Sequence, residues 1–445
     1  MKIITLNEVI KAVNGKFNGN LKGYINQVYY DSREVNDIKE NNSLFVAIKG
    51  NQVDGHDFVC DALKSGADYA MVEYKPVNMA DEEKLIFVED TVKALDDLAV
   101  YYRSLFKLKF IGVTGSVGKT HCKEFIANVL SQKFKTFRNK GNLNSLIGLP
   151  IALFDLHDKY EIAVMELATN HFGEIKVLSK IVKPDISVIT NVEEVHTEFL
   201  CDLKGVFQEK TDIFRFSKSN STKIFNGDRR LFDIYQGRKR YYSYGLNVDN
   251  DYVVKKIKLC GNKYSFYLND KKFKIPSDFK PNIFNAIPAI IIGKLNGLSN
   301  KQINAGLSIK TNLELRINKR YNKKKNWEII ADCYNANPKA VKAGIKYLLQ
   351  SNYNHKIVIL GDMLELGKNE INKHQEIGDF LKRCRIHTAI SVGNLAKHFD
   401  ADTHFNSIEE LINSNKILNF PTNSAILLKG SRFIELEKLI ERLID

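Results

Sequence analysis

Long apolar runs are missing from this sequence. Stretches such as residues 289–293 fall far short of the ~20 consecutive apolar residues that a bilayer crossing takes, which excludes a membrane-spanning helix. The first residues, 1–17, carry Glu8, Lys11 and Lys16 in an amphipathic pattern with neither an apolar centre nor a small-residue cleavage site, so they do not read as a signal peptide. Cysteine is sparse. Cys60, Cys122, Cys201, Cys260, Cys333 and Cys384 are scattered, and none forms a C-x-x-C pair. That excludes a disulfide framework and a zinc ribbon, and a reducing, cytoplasmic setting is expected. Only 8 prolines occur, with no low-complexity tract and no internal repeat, leaving little room for a large disordered part. Acidic excess is absent as well: the formal charge is +14, which favours anionic partners without separating nucleic acid from nucleotides or acidic metabolites. The densest basic run, 316–325, has no aromatic interleaved except Tyr321 and reads as a solvated loop, so no nucleic-acid partner is expected.

What is present is a folded chain of 445 residues with 44% hydrophobic content, too long for one core, and three domains are expected. Its most informative stretch is Phe110-Ile-Gly-Val-Thr-Gly-Ser-Val-Gly-Lys-Thr120. Phe110, Ile111 and Val113 form a short apolar strand, while Cys122, Phe125, Ile126, Val129 and Leu130 recur at helical spacing beyond it. Glycines between a strand and a helix make a phosphate-binding loop. Backbone N–H groups of Gly115, Ser116, Val117 and Gly118 converge on an anion, Lys119 reaches terminal phosphates, and the Thr120 hydroxyl suits Mg²⁺. The strict G-x-x-x-x-G-K-[ST] form would place glycine where Val113 stands, and Gly112 lies one residue upstream.

Around this loop the chain alternates strands and helices. Residues 28–30 and 44–48 read as strands, 57–65 as a helix, and 90–106 as a connecting helix with Val92, Leu95, Leu98, Ala99 and Tyr102 on one face. Strands at 161–165 and 185–189, separated by a helix, suit a parallel sheet, whose ligands bind beyond the carboxyl ends of the strands. Glu166, Asn170, His171, Asn191, Glu193, Glu194 and His196 stand at those ends. A carboxylate, an imidazole and the Thr120 hydroxyl on one rim would make a Mg²⁺ site, although a single Glu or His there is as readily a cap or a surface residue. Residues 239–276 read as an antiparallel flap with a turn at Asn269-Asp270, and 283–295 as a helix. Strands at 327–330, 356–360, 388–392 and 425–428 then alternate with helices at 338–350, 370–382 and 433–444, a second doubly wound unit. The expected fold is therefore α/β, with a mostly parallel phosphate-loop sheet in the middle and a Rossmann-like sheet at the C-terminal end.

Several runs together resemble the Mur ligases, most closely the branch that adds D-alanyl-D-alanine. They are Asp31-Ser-Arg33, Leu44-Phe-Val-Ala47, Asp54-Gly-His56, Gly66-Ala67, Thr114 to Thr120, Gly141-Asn-Leu-Asn144, Asn170-His-Phe-Gly-Glu-Ile175, Thr190-Asn-Val192 with His196, Asn226-Gly-Asp228, Asp332-Cys-Tyr-Asn-Ala-Asn-Pro338, Leu360-Gly-Asp-Met-Leu-Glu-Leu-Gly367 and Lys429-Gly-Ser-Arg432. The resemblance covers nearly the whole chain. It implies a UDP-substrate domain over 1–88, an ATP domain over 89–311 and a domain for the incoming dipeptide over 312–445. It also implies an enzyme that activates the carboxylate of UDP-N-acetylmuramoyl-tripeptide with ATP as an acyl phosphate. D-alanyl-D-alanine then displaces the phosphate, with no membrane span and the enzyme acting as a monomer. In that family Lys119 and the loop hold phosphates, and Thr120, Glu166 and His196 serve two Mg²⁺ ions. Lys210, otherwise a surface helix lysine, carries CO₂ as a carbamate. Asn285, Arg316 and Asp332 match ATP contacts; Ser32, Asn142, Asn144 and His171 match the nucleotide-linked substrate; Asn335 and Asn337 fall near the dipeptide.

Ala168 replaces a family glycine, Pro281 stands where histidine is frequent, and Leu315 replaces a glycine before Arg316. None of these removes a phosphate or metal group, so an active enzyme is expected. The alternatives are another ligase of the superfamily, such as a tripeptide-forming Mur ligase or a folylpolyglutamate synthase, a nucleic-acid-dependent ATPase, or a non-catalytic nucleotide-binding scaffold.

Overall fold

A computed structural model describes residues 1–31, 33, 42–50, 52–77, 79, 82–310, 317–414 and 416–444. Ser32, Leu315 and Arg316 lie outside the described residues. Three α/β units follow one another, each built on its own mostly parallel sheet.

The first sheet has five strands in the order Lys16–Phe17, Leu85–Phe87, Tyr69–Val72, Ser43–Val46 and Gln27–Tyr29, antiparallel only at the first pair. The central sheet has nine strands. Its parallel heart runs Thr222–Asn226, Ile186–Ile189, Lys109–Thr114, Ile162–Glu166 and Thr136–Arg138. The third sheet has six strands, of which only the edge strand Asn318–Asn322 is antiparallel. Among the described residues no helix is long and apolar enough to cross a membrane.

Helix Thr91–Ser104 joins the first two units. Asp90 caps it, accepting from Lys93 N at 2.9 Å, and Leu95, Leu98, Ala99 and Tyr102 are buried in one core with Val9, Val13, Phe154 and Leu178. The Tyr102 hydroxyl ends in that core and donates to Leu156 O at 2.8 Å, so the ring is buried without orphaning its polar tip. A second core lies under the phosphate-loop helix Lys119–Leu130. There the helix Pro281–Leu295 is apolar nearly all round and buries Ile283, Ile287, Ile290 and Ile291 against Ile126, Val129 and Leu130. Each such aliphatic side chain contributes about 1.5–3 kcal/mol by leaving water, and together they fix the loop that precedes the helix.

The antiparallel flap expected over 239–276 is present as the meander Tyr252–Cys260, Lys263–Leu268 and Lys271–Ile275 with its turn at Asn269-Asp270, and it joins the nine-stranded sheet through Tyr241–Gly245, which pairs in parallel with Thr222–Asn226. Two expectations change. Within the basic run Asn318–Asn322 is a strand and not a solvated loop, pairing with Trp327–Ala331, and Lys319 is held between Asp278 at 3.0 Å and Glu328 at 3.2 Å. The last helix does not run through 433–444. A short 3-10 turn, Arg432–Ile434, ends at Glu435 with φ 55°, and the helix proper is Lys438–Ile444.

Candidate active site

Parallel register sets the rim. Glu166 lies opposite Val113, and Ile189 opposite Thr114, so three central strands end side by side. From Thr114 the chain enters the loop at Gly115 with φ 145° and leaves it at Gly118 with φ 85°, backbone that L side chains rarely adopt. A Cβ would also collide at both, standing 2.0 Å from Thr190 Oγ1 and 2.1 Å from Asn285 Oδ1. Gly112, by contrast, is inside the strand Lys109–Thr114; its missing Cβ makes room for Pro184 and Ile213, so it serves packing and not phosphate.

The loop is laced to the next strand end. Ser116 N donates to Asn191 O at 3.0 Å, Val117 N to Asn191 Oδ1 at 2.9 Å, and Thr190 Oγ1 to Val117 O at 2.7 Å. No side chain caps the start of the Lys119–Leu130 helix, leaving its positive end for an anion. Lys119 Nζ donates to Gly115 O at 3.0 Å, which folds the ammonium over the loop.

Glu166, at the end of its strand, is buried. Its Oε1 accepts from Thr120 Oγ1 at 3.2 Å and Asn144 Nδ2 at 2.8 Å, while Oε2 takes no hydrogen bond and faces Lys123 Nζ at 3.8 Å. Lys210, on helix Leu203–Arg215, is fully buried and its Nζ has no hydrogen-bond partner. Burial, reinforced by the Lys119 charge, pushes its amine well below the usual lysine range. Lys210 therefore does not occupy the surface position it would be given apart from the family resemblance. The adjacent Glu209 is also buried, but it is satisfied, accepting from Gly173 N and Ile175 N at 2.7 Å each.

His196 has left-handed backbone, φ 53°, and its Nδ1 meets Glu365 Oε2 of the C-terminal unit at 2.5 Å. Desolvation lowers the imidazole pKa, against the pull of Glu365 and with the push of Lys210 and Lys119. Glu193 is buried and pairs with both Arg229 and Lys339, the latter reaching across from helix Pro338–Leu349.

The C-terminal unit supplies the opposite wall of a cleft of about 1170 Å³. Asp332 Oδ2 accepts from the buried Lys429 Nζ at 2.6 Å, and the same ammonium donates to Asn335 O at 3.0 Å. Asn335 Oδ1 accepts from Ala336 N at 2.7 Å, and Asn337 caps its helix by accepting from Ala340 N at 2.9 Å.

Curated relatives match over almost the whole length. UDP-N-acetylmuramoyl-tripeptide--D-alanyl-D-alanine ligase of Rickettsia prowazekii is 33% identical over 94% of this chain and 94% of its own. The Bacillus subtilis enzyme of the same name is 33% identical, covering 95% of this chain and 93% of its own. The chain belongs to the Mur ligase family. Residues 24–103 match the Mur ligase family catalytic domain, 113–293 the Mur ligase middle domain and 316–432 the Mur ligase glutamate ligase domain. Among solved structures, MurF from Acinetobacter baumannii superposes with a TM-score of 0.90 at 29% identity, covering 100% of this chain and 99% of its own. MurF from Thermotoga maritima in complex with ADP gives 0.82 at 28% identity, covering 94% and 96%.

As a Mur ligase, the chain gathers most of the residues singled out from sequence around one cleft: Ser116 to Lys119, Asn142, Asn144, Glu166, His196, Asn285, Asp332, Asn335 and Asn337 all line it. Thr120 lies just behind, against Glu166. His171 is not among the lining residues; it is exposed, its ring lies tilted against Phe199 and it sits 3.5 Å from Glu174. Ala168 keeps its strand-end geometry by donating from its backbone to Asn144 O at 2.9 Å, and Pro281 opens its helix at the cleft. Sequence reasoning missed Glu365, Arg229, Lys339, Lys123 and Glu209. Glu365 and Lys429 did lie in the quoted Leu360 to Gly367 and Lys429 to Arg432 runs, where their setting among glycines was the available signal.

Among the described residues no three His, Cys, Asp or Glu side chains gather into a metal cage. Mg²⁺ takes one or two protein oxygens and completes its shell with water and substrate phosphates. Glu166 Oε2, buried without a hydrogen-bond partner beside the phosphate loop, is an oxygen suited to it, and the partnerless Lys210 amine suits conversion to a carbamate.

Proposed function

We propose that this Mur ligase joins D-alanyl-D-alanine to UDP-N-acetylmuramoyl-tripeptide at the expense of ATP, in the cytoplasm and as a monomer. One observation carries the reading: a phosphate loop with a buried carboxylate and a buried, partnerless lysine faces, across one cleft, a second wall made by the C-terminal unit. The near-complete match to relatives bearing that activity in their names supports it. On this reading residues 1–88 receive the uridine nucleotide, 89–311 the ATP, and 312–445 the dipeptide.

A carboxylate is a poor acyl donor because its oxygen is a poor leaving group. The chain meets this by positioning and charge. The loop amides and Lys119 hold the phosphates, and the ammonium neutralises charge that builds on the transferring phosphoryl group. The tripeptide carboxylate attacks the γ-phosphorus, forming an O–P bond as the bond to the ADP oxygen breaks. The dipeptide amine then attacks the acyl carbon. Phosphate departs with the original carboxylate oxygen, and the amine loses a proton. Asn285, against Gly118, and Asp332, held by Lys429, take the nucleoside; Asn142 and Asn144 take the tripeptide, and Asn335 with Asn337 flank the dipeptide. Arg316, Ser32 and His171 keep the roles their family positions imply. Thr120, Glu166 and His196 are the residues that would hold Mg²⁺, together with Lys210 once converted to its carbamate. When bound, the metal screens the phosphate charges that would repel the attacking carboxylate. Carbamate formation needs the uncharged amine, the form that burial favours at Lys210: nitrogen bonds to CO₂ carbon and releases one proton.

Phosphate release from ATP, with each substrate omitted in turn, tests this. Turnover is expected only with UDP-muramyl-tripeptide and D-alanyl-D-alanine together. Turnover indifferent to the dipeptide, or stimulated by DNA instead, would overturn the reading.

A further inference from the structure

The C-terminal unit seats one segment, 364–367, directly on the residues that follow the phosphate-loop rim. Glu198 N donates to Glu365 O at 3.3 Å, and Thr197 Oγ1 to Leu366 O at 3.0 Å. A Cβ on Gly367 would stand only 2.8 Å from Glu198 Cα. Lys373 and Glu194 add an ion pair at 2.7 Å between the same two units. These contacts hold the segment without any help from the Glu365 side chain. That side chain turns instead to His196, with Oε2 2.5 Å from Nδ1. Both residues adopt left-handed backbone, φ 63° for Glu365 and 53° for His196, conformations that side-chain-bearing residues take up where surrounding contacts demand them.

The pairing decides which ring nitrogen carries hydrogen. An ionised carboxylate accepts and does not donate, so Nδ1 is the donor and the free lone pair of a neutral ring lies on Nε2. Imidazole free in water favours the opposite arrangement, with hydrogen on Nε2. His196 lines the cleft, and its Nε2 takes no hydrogen bond among the described residues.

We infer that Glu365 is a positioning residue: by accepting from His196 Nδ1 it presents the Nε2 lone pair to the phosphate end of the cleft, and it does so only while the C-terminal unit is docked. The tautomer follows from this geometry alone; its use in phosphoryl transfer rests on the ligase reading. The arrangement makes the phosphate end complete only when the wall carrying Asp332 and Asn335 is in place. Because an acyl phosphate exposed to water hydrolyses, activating the carboxylate only when the wall for the second substrate has arrived limits that loss.

The test uses the full chain, Glu365→Ala and Glu365→Gln, with histidine nitrogens labelled and the His196 resonances assigned by their loss in His196→Gln. At pH 8 the wild type is expected to hold hydrogen on Nδ1 in the absence of any ligand. Glu365→Ala is expected to shift the ring toward hydrogen on Nε2 and to lower kcat by about 10–100-fold, the usual cost of losing the partner that orients a metal-ligating imidazole. Glu365→Gln still offers an acceptor oxygen, so it is expected to retain the wild-type tautomer and most of kcat, which separates loss of orientation from a folding defect. A wild-type ring carrying hydrogen on Nε2, or Glu365→Ala with unchanged tautomer and unchanged kcat, would overturn the inference. A correct tautomer in a protein without ligase activity would instead count against the ligase reading and leave the positioning role standing.

Discussion

The two walls of the cleft differ in how their polar groups are satisfied. On the C-terminal wall Asp332, Asn335 and Asn337 are tied within their own unit, Asp332 to Lys429, Asn335 to Ala336 and Asn337 to the start of its helix, while Glu365 and Lys339 reach across to His196 and Glu193. On the phosphate wall the loop backbone is equally well tied, but Lys210 Nζ and Glu166 Oε2 are buried without hydrogen bonds. Burying unpaired polar groups costs stability, so the fold tolerates that cost on the wall where charge must be handled. The opposite wall is a preformed surface for positioning. The contrast separates residues that do chemistry from residues that hold shape, and each variant below is aimed at one side of it.

The largest effect is expected on the phosphate wall. Lys119→Ala and Glu166→Gln should each lower kcat by ~10²–10³-fold while leaving the unfolding midpoint nearly unchanged, read by phosphate release and thermal melting. Lys210→Met should separate the two properties. Activity is expected to be lost, yet stability in CO₂-free buffer at pH 7 should rise by about 1–3 kcal/mol, because a buried polar group without a partner is replaced by an apolar one of similar size. The sign with pH follows from the lowered amine. The folded chain holds this proton less tightly than the unfolded one, so wild-type stability from this group rises with pH until the ordinary lysine value near ~10.4 is passed. Lys210→Met should flatten that rise in urea titrations.

A smaller, purely structural effect is expected away from the cleft at Asp96, whose Oδ1 is buried without a partner and whose carboxyl is pushed up to about 7 by burial, with Asp97 and Asp90 adding repulsion. The folded chain binds this proton more tightly than the unfolded one, so stability from this group is lost as pH rises from about 4 through about 7. Asp96→Asn should therefore stabilise at pH 8 by on the order of 2–4 kcal/mol, lose that advantage near pH 4, and leave kcat unchanged. The smallest effect belongs to the C-terminal wall: Asn337→Ala should cost about 1 kcal/mol by removing a helix cap, and Asn337→Ser should restore most of it.

Much of this was legible in the sequence, for physical reasons. Strands of the parallel sheets are short apolar runs, and helices such as Thr91–Ser104 carry one apolar face, so patterning located both. The phosphate loop was legible because the glycines that permit φ 145° and 85° leave few alternatives. Lys210 was singled out through the family resemblance, while its local signal went unused: it stands four residues after Val206 and three before Ile213, on the apolar stripe itself. A charged residue on a buried stripe is a site, not a surface. Asn337 lines the cleft and also caps its helix through Oδ1, a second role that the asparagine before a proline at a helix start announces in the sequence. The Glu365 contact joins residues 169 positions apart in sequence, and no local pattern encodes such a pair. The sheet extension at Tyr241–Gly245 was missed for the same reason, since parallel pairing with Thr222–Asn226 is set by register and not by composition.

The most direct measurement follows one oxygen atom. With UDP-muramyl-tripeptide labelled with oxygen-18 in its terminal carboxylate, turnover with ATP and D-alanyl-D-alanine is expected to deliver one labelled oxygen into the released phosphate. Unlabelled phosphate accompanying amide formation would contradict activation of the carboxylate at the phosphate wall.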